Sequence, residues 1–326
     1  MTDTPRRARH FKEQAPVPAG ATGQPAPAMP VENVYAPSAG AYRGAGYVEQ
    51  DARKASSRRS RGRGGARGRR RSNLLSNLLI GLGVVLLLVA GGIWGVAQFN
   101  YHAQAVNNEK LASYVTVSDD PAAPEGPQVD WAGLKAVNPD VVGWVQVPGT
   151  TINFPVYQAD DNDYYLHHTA TGEWSIGGQV FMDYENTAPG MLERQTLIYG
   201  HHLANGDMFT PLENLTDQQV FDQTTTVWYV TEDTTYKLEP LFYYKVAATN
   251  AAARTVSFPS EDDFHNYLAG LLAQATTKSG KADEAVGTIS KVLTLATCDY
   301  DNSFGQGNGR GLVVCALKSE VDTQAS

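Results

Sequence analysis

The chain has 326 residues, 42% of them hydrophobic and 18% charged, enough for one good-sized folded domain with accessories. Its two cysteines exclude a scaffold built on disulfides. The formal net charge of -8 conceals a division: the first 73 residues hold 15 Lys and Arg against five Asp and Glu, the remainder 11 against 29, an asymmetry that implies two environments.

Residues 1–52 are rich in Pro, Ala and Gly and poor in large aliphatic side chains, the composition of a disordered tail. Residues 53–73 form a basic flank, with RKASSRRSRGRGGARGRRR holding ten basic residues and no acidic one. Residues 74–99, LLSNLLIGLGVVLLLVAGGIWGVAQF, contain no ionisable side chain. At about 1.5 Å per residue they rise about 39 Å, enough to cross a bilayer core of about 30 Å. The positive flank predicts a single-pass anchor in the cell membrane, the N-terminus cytoplasmic and the chain beyond about 100 extracellular. Trp94, Phe99 and Tyr101 suit the far interface. Ala103-Gln-Ala105 offers the small-x-small pattern of a cleaved signal, but the apolar run exceeds the roughly 7–15 residues of a signal core. The Arg/Gly tract has no interleaved aromatics, so contact with anionic membrane lipid explains it better than nucleic acid.

Residues 100–130 combine helix-favouring pieces with the acidic, Pro-rich stretch Ser118–Pro127, which reads as an arm lifting the following domain off the membrane. From Val141 the texture changes to short β-prone runs: 142–147, 151–156, 179–182, 195–199, 226–230, 235–238, 241–247, 292–297 and 312–317. Such a series predicts a barrel or a sandwich. One helix interrupts it, opened by Ser260-Glu-Asp-Asp and carrying an apolar stripe of Phe264, Tyr267, Leu268, Leu271 and Leu272.

Six histidines (102, 167, 168, 201, 202 and 265) and three arginines (194, 254 and 310) lie beyond the anchor. His201-His202 comes directly off a β run through Gly200, a way of presenting a side chain at a strand's mouth; a solvated loop pair is the plainer alternative. His167, His168, His201 and His202 with Asp160, Asp161 and Asp163 have the chemistry of a metal site. Adjacent histidines rarely share one ion, however, and no H-x-x-x-H spacing occurs, so no metal is expected. Cys315 reads as a small buried strand residue, whereas Cys298 ends its run at Asp299-Tyr-Asp, where a chain turns outward. A thiol needs a lowered pKa or a neighbouring base to act as a nucleophile at neutral pH, and an imidazole or a nearby cation supplies either. The glycine-rich loop from Asp299 to Gly309 is long enough to join two antiparallel strands, which would set Cys298 beside Arg310.

Thr294-Leu-Ala-Thr-Cys298, Tyr199-Gly-His201 followed by Gly206-Asp-Met-Phe-Thr-Pro-Leu212, and Asn138-Pro-Asp-Val-Val-Gly-Trp144 together resemble the class B sortases over about residues 131–318. The resemblance implies a mostly β fold, a closed eight-stranded barrel with peripheral helices, here preceded by one transmembrane helix. Together with the composition read above, it divides the chain into a tail (1–52), a juxtamembrane segment (53–73), an anchor (74–99), an arm (100–130), the catalytic domain (131–318) and a C-terminal tail (319–326). It implies a cysteine transpeptidase of a Gram-positive host that needs no cofactor. Cys298 would be the nucleophile, His201 the acid–base group and Arg310 the oxyanion cation, with Thr297 and Tyr199 as candidates for positioning substrate. The implied partners are exported proteins bearing a sorting motif, together with an amine of a cell-wall precursor or a pilin. His202 stands where the family commonly has Asn. Two other readings share these features: a hydrolysing cysteine peptidase, and a tethered assembly or adhesion module without turnover.

Overall fold

The structure is a computed structural model, and it describes residues 69–323 apart from 119, 121, 300–303 and 305–307. The expected tail, 1–52, and the basic flank as far as residue 68 lie outside the described residues.

Helix α1 (Arg69–Ala112) is continuous, where the sequence reading expects an anchor to 99 and then a broken arm. No Gly or Pro interrupts residues 100–112, and the last turns bury Gln104, Asn108 and Leu111 against the following domain, so packing extends the helix. The segment Leu75–Ala112 is long and apolar enough to cross a membrane, and side chains such as Leu87, 74% exposed, have no protein cover. The short strands β1 (Val115–Thr116) and β2 (Gln128–Val129) pair across the Pro-rich stretch, and α2 (Trp131–Val137) starts at Asp130, whose carboxylate accepts from the Gly133 N–H at 3.0 Å.

The domain proper follows the order β3 (Val141–Gln146), β4 (Asn153–Tyr157), α3 (Tyr164–His167), β5 (Val180–Met182), β6 (Gln195–Tyr199), α4 (Gln218–Gln223), β7 (Val227–Val230), β8 (Thr235–Ala247), α5 (Glu261–Leu272), β9 (Ala275–Lys278), α6 (Ala282–Ala285), β10 (Val292–Asp299), β11 (Gly309–Leu317) and α7 (Lys318–Thr323). The ladder β11-β10-β6-β5-β4-β3-β7-β8 closes on itself through β8 and β11, giving an eight-stranded barrel, with β9 added beside β8. All contacts are antiparallel except β4–β5 and β6–β10. Closure removes the free edges that an open sheet of these strands would expose.

Two-residue alternation divides the apolar side chains between two cores. Val145, Phe154, Val180, Ile198, Leu293, Leu295, Val313 and Cys315 fill the barrel. Ala296, Leu312 and Val314 face outward and are covered by Phe264, Leu268 and Leu271 of α5, whose Ser260 cap accepts from the Asp263 N–H at 3.1 Å. The runs expected at 235–238 and 241–247 merge into one strand despite Pro240. β7 pairs with β8 as far as Leu238 and β9 from Phe242, so on that side the proline falls where no partner needs its missing N–H. Residues 318–323, expected largely within a tail, form α7, with Val321 buried and Glu320 accepting from the Ser290 N–H at 2.8 Å.

Candidate active site

The parallel pairing of β6 and β10 brings the two ends of interest to the same rim. Ala296 stands opposite Tyr199, and the pairing continues past β6, the Gly200 N–H donating to Ala296 O at 3.1 Å and Thr297 Oγ1 to Gly200 O at 2.9 Å. Antiparallel β11 then sets Arg310 directly across from Cys298. Ala296 and Leu312 face outward, so alternation puts Cys298 and Arg310 on the outer face, both half-buried, while the Thr297 hydroxyl is buried.

Gly200 is needed here because of a ring. The ring of Phe209, fully buried, lies so close that a Cβ at residue 200 would meet its Cγ at 2.5 Å. The same contact folds the 201–209 loop back, and the Phe209 N–H donates to His201 O at 2.9 Å. His201 is held by its Nε2, 2.7 Å from the accepting carbonyl of Leu166, with the His167 ring 6.4 Å away. Burial pushes the His201 pKa below its ordinary value; the Leu166 carbonyl opposes this, and the charges of His167 and Arg310 push it further down. Arg310 is therefore felt electrostatically at His201 as well as being paired with Cys298.

His202 has a different neighbourhood. Its Nδ1 lies 3.0 Å from the backbone carbonyl of Cys298 and its Nε2 lies 3.2 Å from Glu213 Oε2, in the 3₁₀ segment Thr210–Thr216. It ties the cysteine strand to that segment. Glu213 and the Leu166 carbonyl are contributors that sequence reasoning missed; a main-chain acceptor leaves no mark in side-chain pattern, and an exposed-looking glutamate leaves little.

Thr297 and Tyr199, the two positioning candidates, spend their hydroxyls inside the protein. That of Thr297 is on Gly200 O; that of Tyr199 donates to Asp183 Oδ2 at 2.6 Å and accepts from Arg254 Nε at 3.1 Å. Cys315 lies in the barrel opposite Leu293, several rungs from Cys298; both cysteines are free, and burial pushes the Cys315 thiol up. Among the described residues no three His, Cys, Asp or Glu side chains gather as a metal-holding group. His168 instead stacks on Tyr164, with ring centroids 4.4 Å apart.

A thiol, an imidazole and a guanidinium thus stand on chain segments that end at one rim, groups of the kind that acyl transfer through a thioester uses. The sequence matches the family model described as Sortase domain over residues 145–318. A protein named Sortase B from Listeria monocytogenes serovar 1/2a is 33% identical over 174 residues, covering 53% of this chain and 69% of the relative. Among solved structures, sortase B from B. anthracis in complex with AAEK1 has a TM-score of 0.55 at 25% identity, covering 67% of this chain and 98% of the other. A Staphylococcus aureus sortase B–substrate complex has a TM-score of 0.50 at 25% identity, with 57% and 83% covered.

Proposed function

This chain belongs to the sortase family as a class B member and is a cysteine transpeptidase of the sortase kind; we propose that it is anchored in the cell membrane by α1 and works outside it through Cys298, His201 and Arg310. The observation that carries this reading is the register at the rim, with Cys298 opposite Arg310 and its carbonyl in contact with His202, next to His201. The Cys298 thiolate attacks a backbone carbonyl in the sorting motif of an exported protein, and the guanidinium of Arg310 steadies the oxyanion that forms. His201 gives its proton to the leaving amine as the C–N bond breaks, leaving an acyl thioester. An imidazole whose neutral form is favoured by burial and by Arg310 is a stronger acid when protonated, which suits that donation.

An amine of a cell-wall precursor or a pilin lysine then attacks the thioester and loses its proton to His201. A new amide bond forms as the C–S bond breaks, and Cys298 leaves as the thiolate with His201 protonated again. The similarity to a sortase B solved with its substrate supports a sorting-motif peptide as the acyl donor. The length and bare apolar surface of α1, with the basic flank before it, support a span whose N-terminus is cytoplasmic. We take 1–52 as tail, 53–73 as flank, 74–99 as the span and 131–318 as the catalytic domain.

Mass spectrometry of the chain incubated with sorting-motif peptides tests the reading: the wild type should accumulate a thioester adduct and Cys298→Ala none. An undiminished adduct on Cys298→Ala would refute it. Product formed at equal rate with and without an added amine would favour the hydrolysing peptidase.

A further inference from the structure

We infer that the end of α1 belongs to the catalytic apparatus, Gln104 and Asn108 acting as positioning residues that clamp both walls of the His201 socket; this rests on the acid–base role proposed for His201. Gln104 and Asn108 lie one turn apart, and both are buried although polar. Buried amides persist only when hydrogen-bonded, and these two are. Gln104 Nε2 donates to Gly178 O at 3.0 Å and to Asn108 Oδ1 at 3.2 Å, and its Oε1 accepts from Ser175 Oγ. Asn108 Nδ2 donates to Asp207 Oδ2 at 3.0 Å and lies 3.6 Å from Met208 Sδ.

Each contact leads to the histidines in two steps. On one wall, the Ser175 N–H donates to His167 O and the Gln179 N–H to Tyr165 O, both at 2.8 Å, which fixes the segment whose Leu166 carbonyl holds His201 Nε2. On the other wall, Met208 bridges to His202, and the next residue, Phe209, donates its N–H to His201 O. Met208 has φ 58°, a left-handed backbone that persists in a non-glycine residue only where its surroundings hold it. Asp207, which accepts from the Met208 N–H at 2.8 Å, and Asn108 provide that hold. The helix that the apolar run forms therefore continues without a joint into the support of the catalytic imidazole.

The test uses the full-length chain in lipid nanodiscs. Asn108→Asp sets two carboxylates face to face and should lower kcat about tenfold or more with KM changed less than about threefold, since misplacing a catalytic group by about an ångström costs rate more than binding. Asn108→Asp with Asp207→Asn restores one donor and one acceptor with the roles exchanged, and should recover most of kcat. Amide exchange across 201–209 should rise in the single variant and return in the pair. If Asn108→Asp keeps kcat within twofold, or if the pair is as slow and as open as the single variant, the clamp is wrong. A wild-type chain that transfers no peptide would instead overturn the reading of the site, while amide exchange still reports on the clamp by itself.

Discussion

Asp183 offers a sharp test of how the histidine strand is held. It is fully buried at the end of β5, and its Oδ2 accepts from Tyr199 Oη at 2.6 Å, Arg254 Nη2 at 3.0 Å and Asn162 Nδ2 at 3.1 Å. Tyr199 precedes His201 by two residues, so this carboxylate pins the strand from which the imidazole projects. Asp183→Ala removes the shared acceptor of all three residues, Arg254 donating from both Nη2 and Nε. Breaking a buried ion pair costs about 3–5 kcal/mol. The Arg254 side chain is 43% exposed and can rehydrate, which favours the lower end, and the Tyr199 O–H, left without its acceptor, adds about 1 kcal/mol. A total of about 3–4 kcal/mol, at about 2–4 °C per kcal/mol for a domain of this size, lowers Tm by about 6–16 °C. Near-UV circular dichroism of the detergent-solubilised chain would measure it. A fall below about 2 °C would show that the desolvation of Asp183 cancels what its donors return, and would refute this account of the carboxylate.

His201→Ala should lower acyl transfer by about 10²–10⁴-fold, whereas His202→Asn, which keeps an amide donor for the Cys298 carbonyl, should retain most activity in a fluorogenic peptide assay; the reverse order would move the acid–base role to His202. The depressed His201 pKa means that the unfolded chain binds the extra proton first, so His201 contributes stability at neutral pH that is lost as pH falls below about 6.5. Tm should therefore drop between about pH 7 and pH 5, and His201→Gln should flatten part of that drop; a variant with the wild-type slope would contradict this. Gly200→Ala forces a Cβ into the Phe209 ring and should cost about 1–3 kcal/mol in urea unfolding, with loss of transfer; an unchanged midpoint would mean that the ring yields freely.

The strands of the barrel were legible because nearly every one is a run of β-branched and aromatic residues bounded by turn residues. β9, Ala275-Thr-Thr-Lys278, was missed because four residues beside a helix carry too little pattern. The Cys298–Arg310 pairing was legible because a glycine-rich loop between two β runs implies antiparallel neighbours, which set the end of one run beside the start of the next. The clamp and the Asp183 hub were not. Gln104 and Asn108 read as the polar side of a helix, and only the fold brings Gly178 and Asp207 against them. Asp183 and Arg254 are 71 residues apart, joined by no local rule.

The parallel contact between β6 and β10 explains why the site is at this rim and why its parts are so far apart in sequence. Parallel neighbours send their carboxyl ends to the same edge but require a long crossover between them. Here residues 200–291 provide it, and they also supply β7, β8, α5 and β9 on the way back. An antiparallel β6–β10 pair would have put His201 and Cys298 at opposite ends of the barrel. Once the parallel pair is set, antiparallel β11 must begin where β10 ends, and Arg310 enters beside the thiol. Paired strands thus set Cys298 and Arg310 at their ends, and His201 follows two residues beyond the end of β6. The 201–209 loop is bonded to His201 through the Phe209 N–H and is braced from outside by Asn108. His201 is the one of the three that lies beyond its strand, and it is the one beside which the end of α1 packs.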